Sequence, residues 1–364
     1  MSKVIVTGIL GQDGANMAEY LLREVRDVKI YGMMRRSANP NFVNTHNFKD
    51  HKNFEFIYGD LTDDVSIDNL VKRIQPDYLV NFAANSFVGC SWDMPEQVMD
   101  VNALGVLRCL ESIRKFKPDC KFYSAGSSEE WGDVDYSPQD IDHPIKPRSP
   151  YGASKASARH LVKVYKESYD MYAVHGILFN HEGTKRGEEF VTRKISKGVA
   201  RIDHHLKNRM SIEHFDPIEL GNIYSKRDWS DSEDFVEGVW LMLNQKEPKN
   251  YILSSGETHS IKEFVTLAFK HAKLYGNWIE SEHSPLATRF VLTGGIGGDD
   301  YKTLVSINKN FYRPADVDLL LGDSTPIRKE LGWKPKISFD MLVEKMVKFD
   351  IENYQEEKRR VPKM

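Results

Sequence analysis

Cysteine is scarce in this sequence. Of 364 residues only Cys90, Cys109 and Cys120 are cysteines. They form neither a C-x-x-C pair nor an even set for a disulfide framework, which suits a reducing compartment. Core packing is their expected role. No apolar run approaches ~18 residues, so no membrane-spanning helix is expected. The N-terminus passes from Met-Ser-Lys straight into a strand pattern with no signal-type apolar region, and a cytoplasmic location is expected. Charge of one sign is also missing. Lys+Arg 50 against Asp+Glu 53 leaves a net charge of -3, which gives no reason to expect nucleic acid or an anionic membrane as partner. Repeats, low-complexity tracts and heptads are absent. What remains, 40% hydrophobic and 28% charged, describes a soluble globular chain long enough for two domains.

Read in order, Val4-Ile5-Val6-Thr7 is a β-branched run that Gly8 ends. Gly8-x-x-Gly11-x-x-Gly14 then opens a segment with Met17, Ala18, Leu21 and Leu22 at helical spacing. Strand, glycine turn and helix is the context a dinucleotide-binding turn requires. Its glycines admit a pyrophosphate close to the backbone, and the helix N-terminus offers amide protons. A second strand, 28–34, ends in Arg35-Arg36-Ser37. An acid there would suit the ribose hydroxyls of NAD, whereas two arginines suit a 2′-phosphate, so NADP is expected. A solvated basic pair is the plainer alternative.

Residues 54–58 read as a third strand, ending at Gly59-Asp60-Leu61, where Asp60 either accepts from an adenine amino group or caps the following turn. Tyr78 to Phe82 is a near-continuous apolar run of the kind buried in parallel sheets, and Ala83-Ala84 leaves room for a cofactor ribose. A helix over 95–116 and strands over 120–124 and 173–179 continue the rhythm. The expected fold is α/β, a doubly wound parallel sheet with ligands at the carboxyl ends of its strands. Gly8, Asp60, Ala84 and Ser127 all fall at such ends. Beyond Asn180-His181-Glu182 the alternation weakens. Gly183 to Gly187 is a basic loop suited to a phosphate, and Gly294 to Asp300 reads as a mobile loop. His204, His205, Glu213 and His214 match no zinc spacing, and no metal is expected.

The densest chemistry lies in A-G-S-S-E-E-W-G, Ala125 to Gly132, and Y-G-A-S-K, Tyr151 to Lys155. Tyr and Lys four apart share one helix face, about one turn apart. An ammonium beside a phenol stabilises the phenolate, so Tyr151 is a candidate general base for a sugar hydroxyl. Ser127 can hydrogen-bond the same oxygen. Glu129 adds a carboxylate, which alternation along an extended stretch would place on Ser127's side. Any Tyr-x-x-x-Lys pair is common on helices, and the order of these pieces behind a glycine turn gives this one its weight.

Over nearly its whole length the chain resembles the extended short-chain dehydrogenase/reductases and, within them, the GDP-mannose 4,6-dehydratase family. The matching pieces include T-G-I-L-G-Q-D-G (Thr7 to Gly14), G-D-L-T-D (Gly59 to Asp63), G-S-S-E, Y-G-A-S-K, L-F-N-H-E (Leu178 to Glu182), K-R-D-W (Lys226 to Trp229) and R-P-A-D-V-D-L-L-L-G-D (Arg313 to Asp323). The resemblance implies an NADP-binding Rossmann domain over 1–180. It implies a mainly substrate-binding lobe over 181–364, with stretches near 221–245 and 300–320 returning to the first domain. Cofactor contacts are implied for Gly8, Gly11, Gln12, Asp13, Gly14, Arg35, Arg36, Asp60 and Leu61. They are implied also for Ala83, Ala84, Ser86, Tyr151, Lys155 and His181. Substrate contacts are implied for Ser127, Glu129, Asn180, Lys194, Arg227, Arg313 and Asp316.

The implied reaction is internal. Tyr151, with Lys155 and Ser127, takes the proton of the carbon-4 hydroxyl while hydride passes to NADP; Glu129 removes the carbon-5 proton, water leaves from carbon 6, and hydride returns there. A sugar-nucleotide 4-epimerase or reductase of the same fold needs no such acid/base, so Glu129 separates the two readings. Leu10, Ser127 and Gly183-Thr184-Lys185 depart from the usual family pattern, which leaves a GDP-heptose as an alternative substrate. A non-catalytic NADP-binding module is the alternative from another class. A homodimer or homotetramer is implied, with Asn39 to Asn47 either one of its contacts or a mobile loop.

Overall fold

The β-branched run at the N-terminus forms β1 (Ser2–Thr7), an interior strand of the main sheet in a computed structural model that describes residues 1–207, 215–281, 284–293, 302–312 and 319–360. After β1 the chain runs through α1 (Gln12–Glu24), β2 (Val28–Met34), β3 (Phe54–Tyr58) and α2 (Asp64–Ile74) to β4 (Tyr78–Asn81). The next helical stretch is α3 (Pro95–Met99), a π-helical turn at Asp100–Leu104, and α4 (Gly105–Phe116). β5 (Lys121–Ala125), α5 (Pro150–Tyr169) and β6 (Ala173–Leu178) follow. With Ile252–Leu253 these strands make a seven-stranded parallel sheet, ordered Ile252–Leu253, β6, β5, β4, β1, β2, β3. The chain leaves β1 toward β2 and later returns beside it as β4, so the crevice between β1 and β4 is the switch point where such sheets bind ligands.

Alternation along β1 sends Val4 and Val6 to one face and Ile5 to the other, and all three are buried. On the first face they meet Met17 and Leu21 of α1 and Phe235 and Val239 of the helix Ser232–Leu243. On the second they meet Leu70 and Val71 of α2, Leu110 of α4 and Val162 of α5. Cys109 and Cys120 belong to this second core, and all three thiols are free. Burial pushes the Cys109 thiol up to about 12.

The chain divides into two compact units. The first is Met1–His181 with Asp228–Glu257 and Leu320–Lys336; the second is Glu182–Arg227, Thr258–Leu319 and Ile337–Met364. The first returning segment overlaps most of the expected 221–245, and the second begins where the expected 300–320 ends. Helix Ser232–Leu243 packs on α1, where Asn16 Nδ2 donates to Ser232 Oγ at 2.9 Å. Asp228 accepts from the amides of Ser255 at 2.7 Å and Gly256 at 3.0 Å. Farther on, Gln139 N donates to Leu321 O at 2.7 Å, and the buried Trp333 donates from Nε1 to Asp234 O at 2.8 Å. By contrast Thr303–Ile307 is a strand of the second unit. It lies between Arg289–Leu292 and Ile218–Leu220 in a four-stranded sheet that Gly276–Ile279 completes.

In the second unit the helices Val191–Lys207, Ile261–His271 and Phe339–Arg360 pack together. Arg193 Nη2 meets Asp350 Oδ1 at 2.8 Å, and Ser196 Oγ donates to Asp350 Oδ2 at 2.6 Å. Arg313, Asp316, Glu213, His214 and the stretch Gly294 to Asp300 lie outside the described residues. No helix among the described residues is long and apolar enough to cross a membrane.

Candidate active site

The glycine turn after β1 is closed by its own backbone. Gly8 has φ +66°, a conformation side chains strain to adopt, and a Cβ there would lie 2.9 Å from Ala83 N. Gly11 N donates to Gly8 O at 2.9 Å, and Gly11 is the N-cap of α1. A Cβ on Gly14 would sit 2.3 Å from Gly8 O. Thr7 Oγ1 donates to Asn81 Oδ1 at 2.6 Å and accepts from Ala83 N at 2.9 Å, which ties the ends of β1 and β4 across the switch point.

Gln12, Asp13 and His181 form one cluster beside that turn. Gln12 Nε2 donates to His181 O at 3.0 Å, and His181 Nε2 lies 3.0 Å from Asp13 Oδ2. His181 Nδ1 reaches Phe179 O at 2.7 Å, so the ring pins the chain leaving β6 against the first turn of α1. Arg35 and Arg36 are exposed just past β2. Asp60, just past β3, accepts from Thr62 N at 3.0 Å and Thr62 Oγ1 at 2.9 Å. The cap of α2 is Asp63 rather than Asp60, accepting from Val65 N and Ser66 N. Leu61 puts its side chain in the core, and its carbonyl accepts from Arg108. Ala83 and Ala84 are half-buried after β4 and Ser86 is exposed. Asn102, in the π-helical turn, grips that loop: its amide accepts from Asn85 N at 2.8 Å and donates to Asn85 O at 3.1 Å and Ser154 Oγ at 3.0 Å.

The chemical centre is where β5 meets α5. Ser149 caps α5 by accepting from Gly152 N at 3.0 Å, with Pro150 at the first helical position. Tyr151 and Lys155 follow on one face, both buried, with Lys155 Nζ 5.9 Å from the Tyr151 ring centre. Lys155 Nζ donates to Ala125 O at 2.7 Å, the last residue of β5. Burial lowers the Lys155 ammonium to about 8, against the pull of Glu130 and then Asp13. Gly152 allows the close fit, since a Cβ there would lie 2.4 Å from Glu129 O.

Strand alternation does not continue past Ala125. Ser127 is extended, but Ser128–Glu130 is a single 3₁₀ turn that Ser127 caps, accepting from Glu129 N at 3.2 Å. Ser127 is buried and keeps its hydroxyl proton to donate, and Glu129 is half-buried. Asn180 is half-buried two residues past β6. The first unit thus carries Ser127, Glu129, Tyr151, Lys155, Asn180 and the expected cofactor residues. Lys194 and Arg227 belong to the second unit. There Lys194 Nζ sits 3.4 Å above the Phe311 ring and its ammonium is lowered by burial, while the buried Arg227 donates to Lys226 O at 2.8 Å. Sequence reasoning missed Asn102, Glu130 and His175. The Glu129-Glu130 doublet was the only signal of the second of these.

The model of the GDP-mannose 4,6 dehydratase family matches residues 5–346. A GDP-mannose 4,6 dehydratase of Drosophila melanogaster is 40% identical over 356 residues, covering 96% of this chain and 86% of that protein. Among solved structures, a dTDP-glucose 4,6-dehydratase of Bacillus anthracis in complex with NAD superposes with a TM-score of 0.77 at 18% identity, covering 98% of each chain. The RMD protein of Pseudomonas aeruginosa complexed with NADPH gives 0.74 at 19% identity, covering 97% of this chain and all of that one (100%). These two likenesses speak to the fold. With the matched family spanning nearly every element described above, the chain belongs to the GDP-mannose 4,6-dehydratase family.

Proposed function

We propose that the chain converts GDP-mannose, or a closely related GDP-sugar, to the GDP-4-keto-6-deoxy sugar with loss of water, using bound NADP. The observation that carries this reading is the junction of β5 and α5. There Ser127, Tyr151 and Lys155 are buried together, and Glu129 lies on the adjoining turn.

The residues present fit a nicotinamide dinucleotide. The turn has no room for a Cβ at Gly8 or Gly14, and it opens onto the N-terminus of α1. Arg35 and Arg36, exposed past β2, suit the 2′-phosphate of NADP. When bound, the cofactor supplies the hydride acceptor for carbon 4 and the donor for carbon 6.

Tyr151 takes the proton of the carbon-4 hydroxyl, and the Lys155 ammonium stabilises the phenolate that does so. Ser127 donates its hydroxyl proton to the oxygen at carbon 4. Once that carbon is a ketone, the carbon-5 proton is acidic and the Glu129 carboxylate removes it. Glu129 passes that proton to the carbon-6 hydroxyl, which leaves as water and completes the elimination. Lys194, Arg227 and Arg313 are assigned to the diphosphate and guanine, with Asn180 near the sugar and Asp316 as an acceptor. The assembly is read as a homodimer or homotetramer in the cytoplasm, and light scattering in solution tests the former.

The test is mass spectrometry of GDP-mannose incubated with the protein and NADP. Loss of one water without net NADPH is expected, and Glu129→Gln is expected to stop that loss while NADPH still forms in a single turnover. Normal dehydration by Glu129→Gln would remove Glu129 from this role. An unchanged substrate mass with wild type would turn the reading to a GDP-heptose or to epimerisation.

A further inference from the structure

A carboxylate next to the candidate acid/base set is sealed off from solvent. Glu130 is 0% exposed, and so is His175 on β6. Glu130 Oε1 accepts from Ser127 N at 2.9 Å and lies 2.8 Å from His175 Nε2. A carboxylate has only lone pairs to offer, so Nε2 carries the proton of that bond. His175 Nδ1 lies 3.2 Å from Ser124 Oγ. On the far side Arg159 Nη1 of α5 is 3.7 Å from Glu130 Oε2, an ion-pair distance, while its Nη2 donates to Ile141 O.

The segment Ala125-Gly126-Ser127 is therefore clamped at both ends. Lys155 holds the carbonyl of Ala125, and Glu130 holds the amide of Ser127. Gly126 leaves the space for the clamp: a Cβ there would lie 2.3 Å from His175 Nε2 and 2.7 Å from Glu130 Oε1. A capping box alone would explain the Ser127 contact. It does not explain a carboxylate buried completely, with an imidazole and a guanidinium built around it.

We propose that Glu130 is a positioning residue of this active site: with His175 it fixes the Ser127 backbone, and it places a buried negative charge at the other end of the three-residue segment that Lys155 holds. The inference rests on the reading of Tyr151 and Lys155 given above. The charges that act on Lys155 are Glu130 and Asp13 of α1, with the Tyr151 ring 5.9 Å away; Glu130 itself meets His175 and Arg159. Burial first, then Asp13 and Glu130, hold the Tyr123 phenol well above its ordinary range, so it adds no charge. Burial drives Lys155 down, and of the charges that oppose this Glu130 acts most strongly. Removing the carboxylate also leaves Arg159 unbalanced, which acts in the same direction.

The test follows the Lys155 amine directly by NMR of protein labelled at lysine Cε, with Lys155→Arg identifying its signal. In wild type the midpoint is expected at about 8. Glu130→Gln keeps an acceptor for Ser127 N and His175 but loses the charge, and is expected to lower the midpoint by roughly one pH unit. The alkaline limb of the dehydration rate should move down with it, whereas a merely structural change would lower the rate at every pH alike. An unchanged midpoint in folded Glu130→Gln would overturn the proposal. If that variant does not fold, Arg159→Met must raise the midpoint instead, and no rise is equally fatal. Should wild type dehydrate no GDP-sugar, the proposed reaction fails while the NMR midpoint still decides the role of Glu130.

Discussion

The two ends of the candidate site in the first unit are made in opposite ways. At the β5–α5 junction Ser127, Tyr151 and Lys155 are buried, and hydrogen bonds to the backbone fix Ser127 and Lys155 in place. At the end of β2, Arg35 and Arg36 stand in solvent, and Arg36 donates to the carbonyl of its neighbour Ser37 at 2.8 Å. The difference fits two tasks. Proton transfer tolerates little misplacement of the groups involved, so its groups are worth locking in place. Recognition of a phosphate by two cations depends on charge within reach, and long solvated side chains supply it.

The comparison fails if the buried end proves forgiving or the exposed end decisive. The largest effect is expected from Tyr151→Phe, which removes the proposed base and leaves the packing intact. The value of kcat for GDP-sugar dehydration should fall by about 10²–10⁴ with KM nearly unchanged; a loss under about tenfold would show that another group takes the proton. Next comes Gly152→Ala. Its Cβ would meet Glu129 O at 2.4 Å, so either α5 or the 3₁₀ turn must shift. A displacement near 1 Å corresponds to a rate loss on the order of 10², with destabilisation of about 1–3 kcal/mol in thermal unfolding. Normal kcat in Gly152→Ala would mean that the turn is softer than its hydrogen bonds imply. The smallest effect belongs to Arg35→Ala with Arg36→Ala. NADP affinity, read by fluorescence titration, should weaken by about tenfold while NAD affinity holds, and kcat at saturating NADP should not change. Equal loss for both cofactors would take the 2′-phosphate away from these arginines.

Legibility in the sequence followed the range of the interaction. The glycine turn, the apolar strands and the Tyr151–Lys155 face were readable because each is encoded within one or two turns of chain. The π-helical turn inside the expected helix 95–116 was not readable, since Asn102 earns its place through Asn85 and Ser154, far off in sequence. Extending strand alternation through Ser127 and Glu129 failed because Ser127 caps a turn at that point. Glu130 and His175 were hidden for a related reason. One looks like half of an acidic doublet and the other like a polar interruption in a strand, and only the sheet brings them together.

The segment Leu320–Lys336 has a consequence for synthesis. The first unit contains it, yet the ribosome makes it only after the whole stretch Thr258–Leu319 of the second unit has emerged. Trp333, buried in the first core, is among the last pieces to arrive. The first unit is therefore completed only late in synthesis, after all seven strands of its sheet have been made, and Asp234 O waits for residue 333 to gain the indole that covers it.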